Sequence, residues 1–291
     1  MTRQIMLACL LLATGLAATR AAHAAESYDN CTGFIASIPA TISNQGTWCL
    51  NKDLASSISS GSAITVATNN VTIDCNDFKI GGLAAGAGTS THGVYALDHF
   101  NVTVRHCNIR GFYQGILLAA SNASSSGGHL VEDNRFDGNT YESIDVAGDG
   151  STVRGNRVFD TGGSSLIGDA HGIATTYNVD VLGNTVTDVL ASSGSLGSGT
   201  GIATVNSINN SVSGNRVHGV LSDGVGTSSY GIRIFTSART ALRDNDLLGS
   251  AASGSIGISC ADGNASARDN EFNGFATAIS TCTDSGGNTV H

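Results

Sequence analysis

Along most of the chain, apolar and polar residues alternate with period two in short bursts, joined by turns that carry Asn or Gly; this is the pattern of half-buried strands. One phrase, Val-x-x-Asn-x-Val with close variants, ends at Phe78, Phe136, Val158, Val186, Val217, Leu247, Phe272 and Val290. V-R-H-C-N-I fits it too, with Cys107 in the Asn slot. The markers are therefore Asn76, Cys107, Asn134, Asn156, Asn184, Asn215, Asn245, Asn270 and Asn288, spaced by 18 to 31 residues. A second phrase built on Gly-Ile lies between them. It reads H-G-V-Y at 92–95, Q-G-I-L at 114–117, E-S-I-D at 142–145 and H-G-I-A at 171–174, then T-G-I-A at 200–203, Y-G-I-R at 230–233, I-G-I-S at 256–259 and T-A-I-S at 277–280.

Repeats of this length are the signature of a solenoid. No single coil can bury its inward Val and Ile alone, but coils stacked about 4.8 Å apart align like residues into internal ladders, and Asn at a fixed turn can hydrogen-bond its neighbours along the stack. Nine markers imply a rod of roughly 40 Å. A β-propeller blade needs four strands in about 40–45 residues, more than this period holds. From the Gly-Ile strand to the next marker the gap is mostly 11 to 13 residues, whereas from marker to Gly-Ile it runs from 9 to 18. The longer insertions therefore fall on one edge, where loops can build a site.

Composition agrees. Thirty-eight Gly, one Pro, two Met, 13% charged and 41% hydrophobic residues describe a chain that folds and that favours strands over helices. The repeat, together with the lead-in C-T-G-F-I-A-S-I-P-A-T-I-S-N-Q-G-T-W-C-L-N-K-D-L (31–54) before N-N-V-T-I-D-C-N (69–76), resembles the right-handed parallel β-helix, or pectin-lyase-like, family. That resemblance implies an all-β, single-stranded right-handed parallel β-helix of about nine coils over 61–291. A short N-terminal cap at 25–60 would cover the exposed first edge. The fold hosts polysaccharide lyases, glycoside hydrolases and epimerases, but also adhesins and phage spikes, so it does not decide function.

The N-terminus carries Arg3, an apolar stretch from Ile5 to Ala18 and Ala22-His23-Ala24, which reads as a signal peptide at 1–24 and a secreted or periplasmic product. The stretch is shorter than the roughly 20 residues of a bilayer span, and none other is long enough, so no membrane span is expected in the mature chain. Cleavage leaves 12 basic and 23 acidic residues, a net charge of −11, which disfavours nucleic acid as a partner. It leaves six cysteines. Fifteen full pairings are open; proximity suggests Cys31–Cys49, Cys75–Cys107 and Cys260–Cys282, and the repeat places the last two pairs near one turn of adjacent coils. Zinc spacings are missing and no calcium repeat is recognisable, so no metal or cofactor is indicated.

Charged residues flank the markers. Asp74, Arg105, Glu132, Arg154, Arg243 and Arg268 precede them, and Asp77, Arg135, Arg157, Arg216, Asp246 and Glu271 follow. These read first as ladders of surface pairs and second as a polyanion-binding stripe, which the interleaved acids weaken. The Gly-Ile strands differ in kind. Their leading slot reads His92, Gln114, Glu142, His171, Thr200 and Tyr230 in consecutive coils, with Asp145 one step along its strand and Tyr95, Tyr113, Tyr141 and Tyr177 nearby. In that register a carboxylate and an imidazole stand close enough to trade protons beside aromatic faces on which sugars stack.

L-I-G-D-A-H-G-I (166–173) and G-I-R-I-F (231–235) resemble the Gly-Asp-Asp, His-Gly and Arg-Ile-Lys signatures of polygalacturonase-type hydrolases without the second Asp or the Lys; Asp169-Ala170-His171 resembles the Asp-Pro-His of alginate epimerases. The expectation is a protein that binds polysaccharide along the Gly-Ile face. If it is an enzyme, it acts as a lyase, hydrolase or epimerase, with His171, Glu142, Asp145 and Asp169 as catalytic candidates and Tyr95, Tyr141, Tyr230, Arg233, Gln114 and His92 as substrate contacts. The alternative is a non-catalytic structural or adhesive solenoid.

Overall fold

The computed structural model describes residues 28–223, 227–261 and 264–291; the signal segment expected at 1–24 lies outside them. The marker and Gly-Ile phrases become strands of three parallel sheets, with eleven strands in one and ten in each of the others among the described residues. A turn of the solenoid contributes one strand to each sheet. His92–Leu97, Val102–Arg105 and Asn108–Arg110, for example, are followed by Gln114–Ala119, Leu130–Glu132 and Arg135–Asp137. We call the three the Gly-Ile sheet, the pre-marker sheet and the post-marker sheet. Every pairing is parallel between successive turns, as the winding of a right-handed β-helix requires. The lead-in strands Ala40–Ile42, Gly46–Cys49 and Leu54–Ala55 join the same sheets beneath Ser62–Val66, Val71–Asp74 and Lys79–Gly81.

Three apolar ladders fill the interior. Val94, Ile116, Ile144, Ile173, Ile202, Ile232 and Ile258 come from the Gly-Ile sheet, Val104, Val131, Val153, Val181 and Val212 from the pre-marker sheet, and Ile109, Phe136, Val158, Val186 and Val217 from the post-marker sheet, all with essentially no exposed surface. Each such side chain contributes about 1.5–3 kcal/mol when removed from water. The Gly-Ile dipeptide has a steric origin. At Gly115 a Cβ would stand 2.5 Å from the Ser143 carbonyl oxygen of the next turn, and at Gly201 a Cβ would stand 2.6 Å from that of Gly231. Where Ser143 replaces the glycine its side chain is buried, and its hydroxyl is bonded to Thr161 Oγ1 at 2.7 Å.

The marker corner combines a left-handed residue with an amide ladder. From Cys107 onward the residue before the marker has positive φ, as at His106, Asp133, Gly155, Gly183, Gly214, Asp244, Asp269 and Gly287, which explains the recurrent Asp-Asn and Gly-Asn dipeptides; at the first marker Asn76 and Asp77 take that conformation instead. The next residue turns its amide inward. Asn184 Oδ1 accepts from the Asn156 backbone N–H at 2.9 Å and from Asn156 Nδ2 at 3.0 Å, while Asn184 Nδ2 donates to the Val153 carbonyl at 3.0 Å. The same geometry links Asn134, Asn156, Asn184, Asn215, Asn245, Asn270 and Asn288, and Cys107 donates its N–H to Asn134 Oδ1. Cys31–Cys49, Cys75–Cys107 and Cys260–Cys282 are all bonded. The flanking charges pair across turns, Arg105 with Asp74 at 2.8 Å and Arg154 with Glu132 at 2.6 Å.

Insertions fall mainly on the edge between the post-marker and Gly-Ile sheets, at 82–91, 163–169 and 191–198; residues 120–129, on the edge between the Gly-Ile and pre-marker sheets, are the exception. Within that exception His129 is 2% exposed. Its Nδ1 accepts from the Val102 N–H and its Nε2 meets Ser126 Oγ at 2.7 Å. Burial lowers its pKa from 6.5 to about 4.

Two outcomes follow from this packing. Asn184→Ala leaves the buried Asn156 N–H without its acceptor and takes a donor from the Val153 carbonyl, and is expected to cost about 3 kcal/mol, against less than about 1 kcal/mol for Arg154→Ala at the surface, as urea unfolding will measure. Because the unfolded His129 binds a proton below pH 6.5 and the folded one only near pH 4, stability should fall by on the order of 3 kcal/mol as pH drops through that window. In His129→Asn, which keeps an acceptor for Val102, the melting temperature should decline less over the same range.

Candidate functional site

The Gly-Ile sheet turns its first and fourth strand positions outward, so parallel register stacks chemically different side chains one strand spacing apart. Gln114 pairs with Glu142 and Glu142 with His171 in the leading column, while Leu117, Asp145 and Ala174 align in the next. Glu142 is the centre of the cluster. Its side chain is only 6% exposed, and its two oxygens are divided between neighbours: Oε1 lies 2.9 Å from His171 Nδ1, and Oε2 accepts from Gln114 Nε2 at 2.6 Å. The same Gln114 amide reaches Asp145 Oδ2 at 3.4 Å, so one neutral donor stands between two carboxyl groups.

Electrostatics follows from this crowding. Burial, reinforced by the Glu142 charge, holds the half-buried Asp145 carboxyl well above the usual carboxylate range. The Nδ1 contact orients His171 with Nδ1–H toward Glu142 and leaves Nε2 as the free nitrogen of a ring that is 21% exposed. Tyr113 and Tyr141, one residue ahead of Gln114 and Glu142, stack at 4.9 Å between centroids, and the His171 ring continues the column at 5.6 Å from Tyr141. Burial and the neighbouring Glu142 raise the pKa of both phenols, so neither titrates near neutrality.

The other expected residues occupy the same face at other heights. His92 and Tyr95, one turn before Gln114, stack on each other at 5.2 Å; His92 also contacts Ser62 Oγ at 3.3 Å, and burial lowers its pKa. Tyr230 and Arg233 lie two turns beyond His171, past a turn that presents Thr200 and Ala203. These two side chains are small and buried, so His171 on one side and Tyr230 and Arg233 on the other stand above them. The Arg233 guanidinium lies between two rings, 4.1 Å from the Tyr230 centroid and 4.2 Å from that of Phe235. Asp169 is engaged elsewhere: its Oδ1 accepts the Ser198 N–H at 2.7 Å in the loop of the next turn.

Three features escaped the sequence reading. Phe235 completes the arginine sandwich, and Gln114 bridges two acids rather than facing outward alone. The third is a wall. Ser165 donates its N–H to the Ala87 carbonyl at 3.1 Å, joining loops 82–91 and 163–169 along one edge of the face, past the short loops that carry Tyr113 and Tyr141. Only the length of those insertions signalled it. Among the described residues, no group of three or more His, Cys, Asp or Glu is arranged to hold a metal ion, and no helix is long and apolar enough to cross a membrane.

No family model and no curated protein sequence matches the chain. Solved structures do. Tailspike protein 3 of bacteriophage CBA120 is similar at TM-score 0.51 and 13% identity over 91% of this chain and 50% of its own. A tailspike protein mutant of the E. coli bacteriophage HK620, in complex with pentasaccharide, is similar at TM-score 0.53 and 13% identity over 85% of this chain and 60% of its own. The A-module of the Azotobacter vinelandii mannuronan C-5 epimerase AlgE6 gives TM-score 0.47 and 13% identity over 84% of this chain and 79% of its own. The chain spans one half to three fifths of the length of the tailspikes. At these identities the likeness to them is one of fold, and the chain has the right-handed parallel β-helix fold.

Asp145→Asn offers a test of the site electrostatics. A carboxyl whose folded pKa lies above its unfolded value favours folding less as pH rises from about 4 through the folded pKa. The asparagine variant lacks that loss. Its melting temperature should therefore gain on the wild type as pH rises, with a pH-independent difference as the contrary result.

Proposed function

We propose that this is a secreted or periplasmic protein that binds polysaccharide along the Gly-Ile face and hydrolyses it by acid–base chemistry. The observation that carries the reading is the Glu142 carboxylate held between Gln114 and His171, beside an Asp145 carboxyl whose pKa burial and the Glu142 charge raise. Three disulfides support an oxidising compartment. The pentasaccharide named with a tailspike of the same fold supports a saccharide as ligand.

In this reading Asp145 gives its proton to the glycosidic oxygen as the bond from the sugar C1 breaks. A water adds to C1 and passes its proton to His171 Nε2. Glu142, on the far side of the imidazole, fixes the tautomer and stabilises the imidazolium, and exchange with solvent returns both groups to their starting states. Gln114 is a positioning residue that keeps the two carboxyls apart. The column of Tyr113 and Tyr141 gives sugar rings an apolar face, Tyr95 and His92 extend it one way, and Tyr230 and Arg233 bound it on the other. Asp169 supports the neighbouring loop.

The test is incubation of residues 25–291 with neutral and uronate polysaccharides, following bound protein, new reducing ends and unsaturated-uronate absorbance. His171→Ala and Asp145→Asn should each lower turnover by about 10²–10⁴ while glycan affinity stays within a few-fold. Wild-type turnover should fall as pH rises through the raised Asp145 pKa, since the acid must hold its proton. Unsaturated products would replace hydrolysis by elimination. Binding without turnover would leave an adhesive solenoid, and wild-type rates in both variants would move the chemistry off these residues.

A further inference from the structure

Away from the Gly-Ile face, the charged ladders largely neutralise themselves. Lys79 takes Asp53 at 3.2 Å, Arg105 takes Asp74, Arg110 takes Asp137 at 2.6 Å, Arg154 takes Glu132, Arg216 takes Asp246 at 3.4 Å and Arg268 takes Asp269 at 3.0 Å. Arg135 and Arg157 break this rule. They are register partners on adjacent turns of the post-marker sheet and both are exposed. Neither guanidinium forms an ion pair or hydrogen bond among the described residues, whereas the other arginine neighbours in register, Arg243 and Arg268, include one that is paired. Like charges directly opposite on neighbouring strands oppose the pairing that brings them together. The chain has 23 acidic residues against 14 basic ones, so the missing counter-charge is not for want of carboxylates.

The surroundings indicate what would fill the gap. Arg135 and Arg157 border a hollow of about 160 Å³ with Asp133, Asn134 and Gly155. Asp133 acts electrostatically on Arg154 and is in ion-pair contact with neither arginine of the hollow. Two residues along the strand from Arg157, on the same outward side, Phe159 is 51% exposed. Its register partners are Asp137, already tied to Arg110, and Thr187. A cationic pair and a bare aromatic ring thus lie about 6–7 Å apart along one strand, within the span of a single sugar unit that carries an anion.

We propose that Arg135 and Arg157 bind the carboxylate or sulfate of an acidic saccharide whose ring lies over Phe159. Guanidinium N–H groups match such planar or tetrahedral oxyanions, and an exposed ring offers an apolar face to the C–H side of the sugar. The anion removes the repulsion between the two arginines, which supplies affinity that no neutral glycan can draw on. The surface belongs to a different sheet from Glu142 and His171, so it stands independently of the reading of the Gly-Ile face.

The test titrates residues 25–291 with oligogalacturonate and with dextran sulfate oligomers at low and physiological salt, with neutral dextran and inorganic sulfate beside them. The acidic oligomers should bind in a salt-dependent way through Arg135 and Arg157, whereas any binding of neutral dextran should be indifferent to salt and to these two residues. Joint Arg135→Gln and Arg157→Gln substitution should weaken binding about 10- to 100-fold, while Arg243→Gln leaves it unchanged. Phe159→Ser should weaken the saccharides and spare inorganic sulfate. The double variant should melt no lower than the wild type, since it removes a repulsion, so lost binding is not lost folding. Unchanged affinity of the acidic oligomers in the double variant, or an equal loss of neutral dextran binding in it, would overturn the site. Indifference to Phe159→Ser would overturn the saccharide and leave a bare anion.

Discussion

Vertical register is the constraint on which everything else in this molecule depends, and the buried asparagine ladder is what holds it. Each amide oxygen accepts from the preceding turn, and each amide nitrogen donates both back to that turn and on to the next, so a coil that slipped by one residue would orphan several buried polar groups at once. The same slip would send the inward Val and Ile ladder outward, because side chains alternate with period two. The amide ladder and the apolar ladders therefore penalise the same errors. From Cys107 onward, the left-handed residue before the marker lets the chain turn the corner and present that amide inward.

Register also makes the site. Gln114, Glu142 and His171 are 28 and 29 residues apart along the chain, yet they touch because each leads its Gly-Ile strand. Two carboxyls brought this close in a half-buried setting would repel if both were ionised. The arrangement answers that by bonding Glu142 to Gln114 and His171, while burial and the Glu142 charge raise the pKa of Asp145. By contrast, the ladders of the other two sheets show the ordinary solution, an acid opposite a base on the next turn. Against that background Arg135 and Arg157 are anomalous in the same sense as Glu142 and Asp145.

Most of the architecture was legible in the sequence because a solenoid repeats its local rules. Asn184 and Asn215 announce the corners, and Ile173 and Ile202 announce the inward ladder. Cys75 and Cys107 fall at one corner of adjacent turns, which supported the pairing that proximity suggested, and they are bonded. Once the Gly-Ile strands are aligned, the column His92, Gln114, Glu142 and His171 can be written down without coordinates. The loops obeyed no such rule. Nothing in the composition of 163–169 indicates that Ser165 reaches Ala87, since contacts between insertions depend on loop paths rather than on period.

What the sequence determined by itself is the set of residues that share a height and a face, because parallel pairing converts spacing along the chain into position along a rod. Only the tertiary structure decided how those residues divide their bonds. It gave Asp169 to Ser198 and Glu142 to His171, and set Arg233 between Tyr230 and Phe235. It also left Arg135 and Arg157 without an acid. The reason is physical: register fixes backbones to within a strand spacing, whereas a hydrogen bond, a protonation state or an ion pair is settled over about 1 Å by rotamers, burial and competing partners.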